Sequence, residues 1–149
     1  MITLPAFTKP FLRVADAAQR AGLGVLILRL VLGYSFFRTG MGKLQNLDRI
    51  IGYFDSLGIP AASIQAPMVA TIECVGGLLL LVGLGTRVVA GLLTGVMAVA
   101  LATAIIPDAE GFHSIISSIE AAYLAAFVYL AVNGGGAASI DHRLWRRAE

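Results

Sequence analysis

Four ionisable side chains stand inside stretches that otherwise read as membrane-spanning helices: Arg29, Arg38, Glu73 and Glu120. A charge near the centre of such a helix costs about 2.5–3.5 kcal/mol on insertion scales. These groups must therefore face the bundle interior, pair with one another, or reach water. Their formal charges cancel, which suits a functional charge network and equally a purely structural ion-pair cluster.

Composition leaves little room for a soluble fold. Of 149 residues, 58% are hydrophobic and 13% charged, and the mean hydropathy is +0.84, outside the range of ordinary globular domains. About 20 residues cross the hydrocarbon core, so the chain has room for four spans with short loops. The pattern predicts spans over about 22–42, 66–84, 87–106 and 113–132. The expected fold is all-α, a four-transmembrane-helix bundle with short interfacial helices in the lipid bilayer. A single integral membrane domain would cover 1–149, with 1–21 an interfacial tail and 133–149 a cytoplasmic tail. The net charge of +2 does not point to nucleic acid, because the basic residues gather at membrane edges instead of forming one stripe. A lone cysteine, Cys74, excludes an internal disulfide framework and a paired-thiol redox centre. Met1–Ala21 lacks the apolar core of a signal peptide, so no cleavable leader is expected.

Two amphipathic segments accompany the spans. After Pro10, the residues Phe11, Val14, Ala15 and Ala18 oppose Arg13, Asp16, Gln19 and Arg20, which predicts a helix on the membrane surface. Leu44, Leu47, Ile51 and Phe54 oppose Asp48, Arg49 and Asp55, which predicts a helix over 44–57 closed by Gly58 and Pro60. That helix would lie across the outer mouth of the bundle, as a lid or as packing. Lys9, Arg13, Arg20, Arg87, Arg143, Arg146 and Arg147 flank one side, against Lys43 and Arg49 on the other, with Arg38 near the edge of that second side. By the positive-inside rule both termini are expected in the cytoplasm, in a multi-pass inner-membrane topology.

Helical rise sets the depths. Glu73 and Glu120 each fall roughly 10 Å below the outer edge, Arg38 roughly 6 Å and Arg29 roughly 20 Å. Arg29, Gly33, Phe36, Gly40 and Lys43 share one stripe of the first span, and Glu73, Gly76, Gly77 and Leu80 one stripe of the second. His113, Ser117, Glu120 and Tyr123 give the last span a polar face. These three faces are expected to meet, with arginine, chiefly Arg29, pairing with Glu73. Arg38 lies opposite Arg29 around the helix, so it either needs a bend to join them or snorkels to the interface. The glycines either admit another backbone or leave space for a ligand. The ligand-binding or proton-relay candidates are Arg29, Arg38, Lys43, Glu73, Glu120 and Tyr123. Two close carboxylates can relay protons, and a cation can polarise a carbonyl such as a quinone oxygen. Gly91 and Gly95 form a small-xxx-small spacing that serves either helix packing or a homodimer. No catalytic residue is assigned, and no metal, haem or phosphate motif is evident.

Several segments, in this order, resemble the DoxX/DoxD family of small bacterial membrane proteins. They are Arg29-Leu-Val-Leu-Gly33 with Gly40-Met-Gly-Lys43-Leu44, then Leu57-Gly58-Ile59-Pro60, then Ile72-Glu73-Cys74-Val75-Gly76-Gly77-Leu78 leading to Gly83-Leu84-Gly85-Thr86-Arg87. The ending Gly134-Gly135-Gly136-Ala137-Ala138-Ser139-Ile140-Asp141 is similar to the family's GPGxxSxD, with glycine in place of proline. The resemblance implies a four-helix membrane fold, a link to membrane redox chemistry, and a redox partner subunit for any quinone-linked oxidoreductase activity. Three readings remain open at this point. One is a redox-associated protein binding a quinone or similar small molecule at the Arg/Glu cluster. The others are a proton-coupled small-molecule transporter and a noncatalytic assembly protein.

Overall fold

Gly22 opens the first helix from a left-handed conformation, φ 66°. The computed structural model describes residues 22–148, and among these it contains helices, turns and loops with no strand. Helix α1 runs Leu23–Gln45, α2 Leu47–Ser56, α3 Ala62–Val82 and α4 Thr86–Ala100. A π-helical turn, Leu101–Ile105, continues α4. Then follow α5 (Phe112–Ile116), α6 (Ile119–Asn133) and α7 (Ile140–Ala148). The surface helix expected within 1–21 lies outside the described residues.

Three helical runs, Leu23–Gln45, Ala62–Val82 and Thr86–Ile105, are long and apolar enough to cross a bilayer. The outward faces carry Ile27, Val31, Val88 and Leu92, all exposed, which is the arrangement of a protein solvated by lipid. The span expected over 113–132 is instead two helices. Ser118 between them is extended, φ −69° and ψ 150°, and its Oγ accepts from the Ala121 amide. The Ser117 hydroxyl turns back to donate to the His113 carbonyl at 2.6 Å. Serine hydroxyls compete with the helical ladder in this way. At 15 residues, α6 alone rises about 22 Å, short of the roughly 30 Å core. The four-span count therefore depends on α5 and α6 acting together.

Helices α1 and α3 pack backbone to backbone. A Cβ placed on Gly40 would lie 2.7 Å from the Cys74 Cα, and one on Gly77 would lie 2.7 Å from the Gly33 carbonyl oxygen. These glycines are where the two helices touch, so they do not leave the ligand space that was one reading of them. Gly91 and Gly95 behave oppositely. A Cβ on either meets nothing within 4 Å, so their spacing does not serve packing inside the chain.

The core joins the α1–α3 pair to the α4–α6 pair. Leu32, Phe36, Leu80, Leu93, Phe127 and Leu130 are buried together. Phe36 meets Phe127 edge-on at 4.7 Å between ring centroids and Tyr123 at 5.2 Å, a favoured aromatic geometry. At the far end, Gly83 (φ 74°) and Gly85 (φ 62°) make the tight α3–α4 turn. The loop after α6 folds back onto that turn. The Asp141 carboxylate accepts from the Gly85 and Thr86 amides at 2.7 and 2.8 Å. It thus caps α4 from a distant part of the chain, where a negative charge also suits the helix dipole.

Candidate functional site

Glu73 stands in the middle of α3 and is 1% exposed. Lys43, on the last turn of α1, reaches its Oε1 with Nζ at 2.6 Å and is itself 24% exposed. This is the ion pair among the described residues. It corrects the expectation that Glu73 pairs with Arg29. The reason is that α1 continues past Gly42 to Gln45, which keeps Lys43 on the helix and on the same stripe as Gly33, Phe36 and Gly40. The Gly40 contact with Cys74 then draws α1 against the Glu73 turn. Lys43 was among the candidates, and its place on that stripe was the signal for the pairing.

The second carboxylate oxygen, Oε2, is buried with no hydrogen-bond partner. An unsatisfied buried polar atom costs about 1–3 kcal/mol, and such atoms in native folds call for an explanation. Beside the pair lies a cavity of about 410 Å³. Its walls include the rings of Phe36, Tyr53, Phe54 and Tyr123, and Glu73, Lys43 and Glu120 all border it. Helix α2 and the turn after it, through Tyr53, Phe54, Leu57 and Ile59, cover the Lys43 end. Glu73 and Glu120 therefore border one mostly apolar cavity, with α2 and the turn after it along its wall. Glu120 is half-buried in the first turn of α6 and makes no ion pair among the described residues.

The two arginines are elsewhere. Arg29 is 2% exposed and sits near the Gly83 end. It donates from NH1 to the Gly135 carbonyl at 2.7 Å and from NH2 to the Ala138 carbonyl at 3.3 Å. Its planar fork finds its acceptors in a loop whose carbonyls no helix has used. Arg29 is only six residues from the start of α1, about 9 Å, so it turns to that nearer end. Arg38 is exposed and outside the cavity lining. It stands on the α1 face opposite the buried stripe, so the inward alternative for it does not hold. His113 is also exposed and away from the cavity. Sequence reasoning missed Tyr53, Met68, Met97 and Thr103 as cavity residues, since none breaks its local pattern.

The folded chain is thus a multi-pass helical membrane protein with a buried ion pair at the edge of an aromatic-walled cavity. The DoxX family model matches residues 24–105, and the chain belongs to the DoxX family. It is 33% identical over 135 residues to membrane protein Rv3486 of Mycobacterium tuberculosis (strain ATCC 25618 / H37Rv), covering 83% of each. It is 32% identical to inner membrane protein YqjF of Escherichia coli (strain K12), covering 82% of this chain and 92% of that one. A shorter match, 42% identical over 67 residues, links it to CatD of Bacillus subtilis (strain 168), which is named as a candidate oxidoreductase. That match spans 45% of this chain and 48% of CatD. No solved structure matches the chain.

Proposed function

We propose that the protein lies in the bacterial inner membrane with both termini in the cytoplasm, and that its cavity binds a quinone or a similar small ring carbonyl compound in membrane redox chemistry. One observation carries this reading: a lysine–glutamate pair with a free buried carboxylate oxygen faces an aromatic-walled space. Lys43 donates to a ring carbonyl oxygen, and Glu73 Oε2 accepts from the hydroxyl of the reduced form. The surrounding rings stack on the head group. Glu120, on the same cavity, is the proposed proton relay. Support from relatives comes from the name of CatD for redox chemistry and that of YqjF for location.

Equilibrium binding of a ubiquinone to the protein in lipid nanodiscs tests the reading. A charge-assisted hydrogen bond contributes about 1.5–3 kcal/mol, so Lys43→Met and Glu73→Gln should each weaken binding about tenfold or more. Unchanged affinity in both variants, or no saturable binding to the wild type, rejects it. Glu120→Gln should bind normally and take up fewer protons on ligand reduction. Equal proton uptake removes Glu120 from the relay.

A further inference from the structure

The α3–α4 contact is uneven along its length. Near the tight turn the helices are packed: a Cβ on Gly76 would lie 3.3 Å from a Val89 methyl and 3.5 Å from a Leu93 methyl. Farther from the turn the same two helices part. Met68, Val69 and Ile72 of α3, and Gly95, Val99 and Thr103 of α4 and its π turn, line the cavity. Met68 and Val99 are each 51% exposed while also lining it. Tyr53 of α2, 50% exposed, also lines it, so the cavity reaches the surface both beside Met68 and Val99 and beside α2.

The depth and polarity of this gap identify the solvent on its far side. Gly95 is ten residues from Ile105, about 15 Å, and Met68 is six residues from Ala62, about 9 Å. Half of a hydrocarbon core is about 15 Å, so the gap opens at acyl-chain depth. Its rim is mostly apolar, and its polar groups are internally bonded: the Thr103 hydroxyl donates to the Val99 carbonyl at 2.8 Å, and Gln65, one turn from Met68, donates to the Pro60 carbonyl at 2.7 Å. A π turn carries an extra residue in the ladder and often marks a functional site; here it forms part of the rim. The Lys43 end is bordered by α2 and is partly open to water, since Lys43 is 24% exposed. A polar head thus has its own access there, and the apolar gap is left to a lipid-soluble tail.

We propose that the α3–α4 gap is a lateral doorway from the bilayer, and that the ligand is a membrane-partitioned molecule with a ring head and a long isoprenoid or alkyl tail. The head rests at Lys43 and Glu73, and the tail leaves between Met68 and Val99 into lipid. This rests on the reading that the cavity holds a quinone-like head. A head group free in water has no equivalent need for an opening at that depth.

Two doorway variants test it from opposite sides, Gly95→Phe on α4 and Met68→Trp on α3. A Cβ at Gly95 has open space and Met68 is half exposed, so both should fold, as thermal unfolding in nanodiscs will report. Two probes are titrated: a ubiquinone with its full isoprenoid tail, and its benzoquinone head with the tail removed. The expected result is that the variants weaken the tailed probe about tenfold or more beyond any loss they cause to the head alone. Equal loss of both probes, or loss of neither, overturns the doorway while leaving the head site standing. Failure of the wild type to bind either probe overturns the head site and the doorway with it. If one variant does not fold, the other decides the matter alone.

Discussion

Removing Lys43 should cost more than removing Glu73, although the two form one ion pair. Lys43→Met leaves a carboxylate that is 1% exposed with neither oxygen partnered, because Oε2 already has no partner. Breaking a buried pair by deleting one member typically costs about 3–5 kcal/mol. Lys43 is 24% exposed, so water reaches part of the pair and moderates this towards about 3 kcal/mol. Glu73→Gln leaves an ammonium on a flexible stem at the helix end, free to swing outward, and should cost about 1 kcal/mol. The double variant strands nothing and should fall near the milder single, giving a coupling energy of about 3 kcal/mol. Equilibrium unfolding in mixed micelles measures all four corners of this cycle. Losses that add to within about 0.5 kcal/mol, or a milder effect from Lys43→Met than from Glu73→Gln, would refute the reasoning. The same cycle with Arg29 in place of Lys43 should be additive, since Arg29 and Glu73 have separate partners.

Arg29→Lys should destabilise by about 2 kcal/mol, because a single ammonium cannot reproduce a fork that holds the Gly135 and Ala138 carbonyls; faster proteolysis after residue 134 is the readout, and an unchanged cleavage rate counts against Arg29 holding that loop. Gly40→Ala should cost about 1–3 kcal/mol through a clash with the Cys74 backbone, whereas Gly91→Ala, with open space around it, should stay within about 0.5 kcal/mol; reversal of that order in thermal scans would reject the α1–α3 contact. In a Cys74→Ser background, cysteines placed at Ser56 and Ala109 should react with an impermeant thiol reagent from outside intact cells; labelling only after the inner face is opened would invert the proposed topology.

Much of this protein follows from local rules that a single sequence expresses. Runs of apolar residues at bilayer length, the amphipathic stripe of Leu47, Ile51 and Phe54, and the glycine-lined stripes of α1 and α3 need nothing beyond helix period and hydropathy. That Glu73 would be buried and paired follows too, because hydrocarbon does not tolerate it otherwise. The identity of its partner does not follow. Helical period assigns Arg29 and Lys43 to one face of α1, and both bear a cation on a long flexible stem. The choice was made where the Gly33, Gly40 and Gly77 backbones touch, since that contact sets the register of α1 against α3. Arg29 was then left beside carbonyls that exist as free acceptors only once the loop after α6 has folded back onto the α3–α4 turn. The break at Ser117–Ser118 likewise reflects a contest between hydroxyl and backbone hydrogen bonds, in a stretch whose hydropathy is continuous. The cavity has no local signature at all. It arises because two well-packed helix pairs meet closely at the Gly83 end and diverge at the Lys43 end, and divergence is a relation between helices that no one helix encodes.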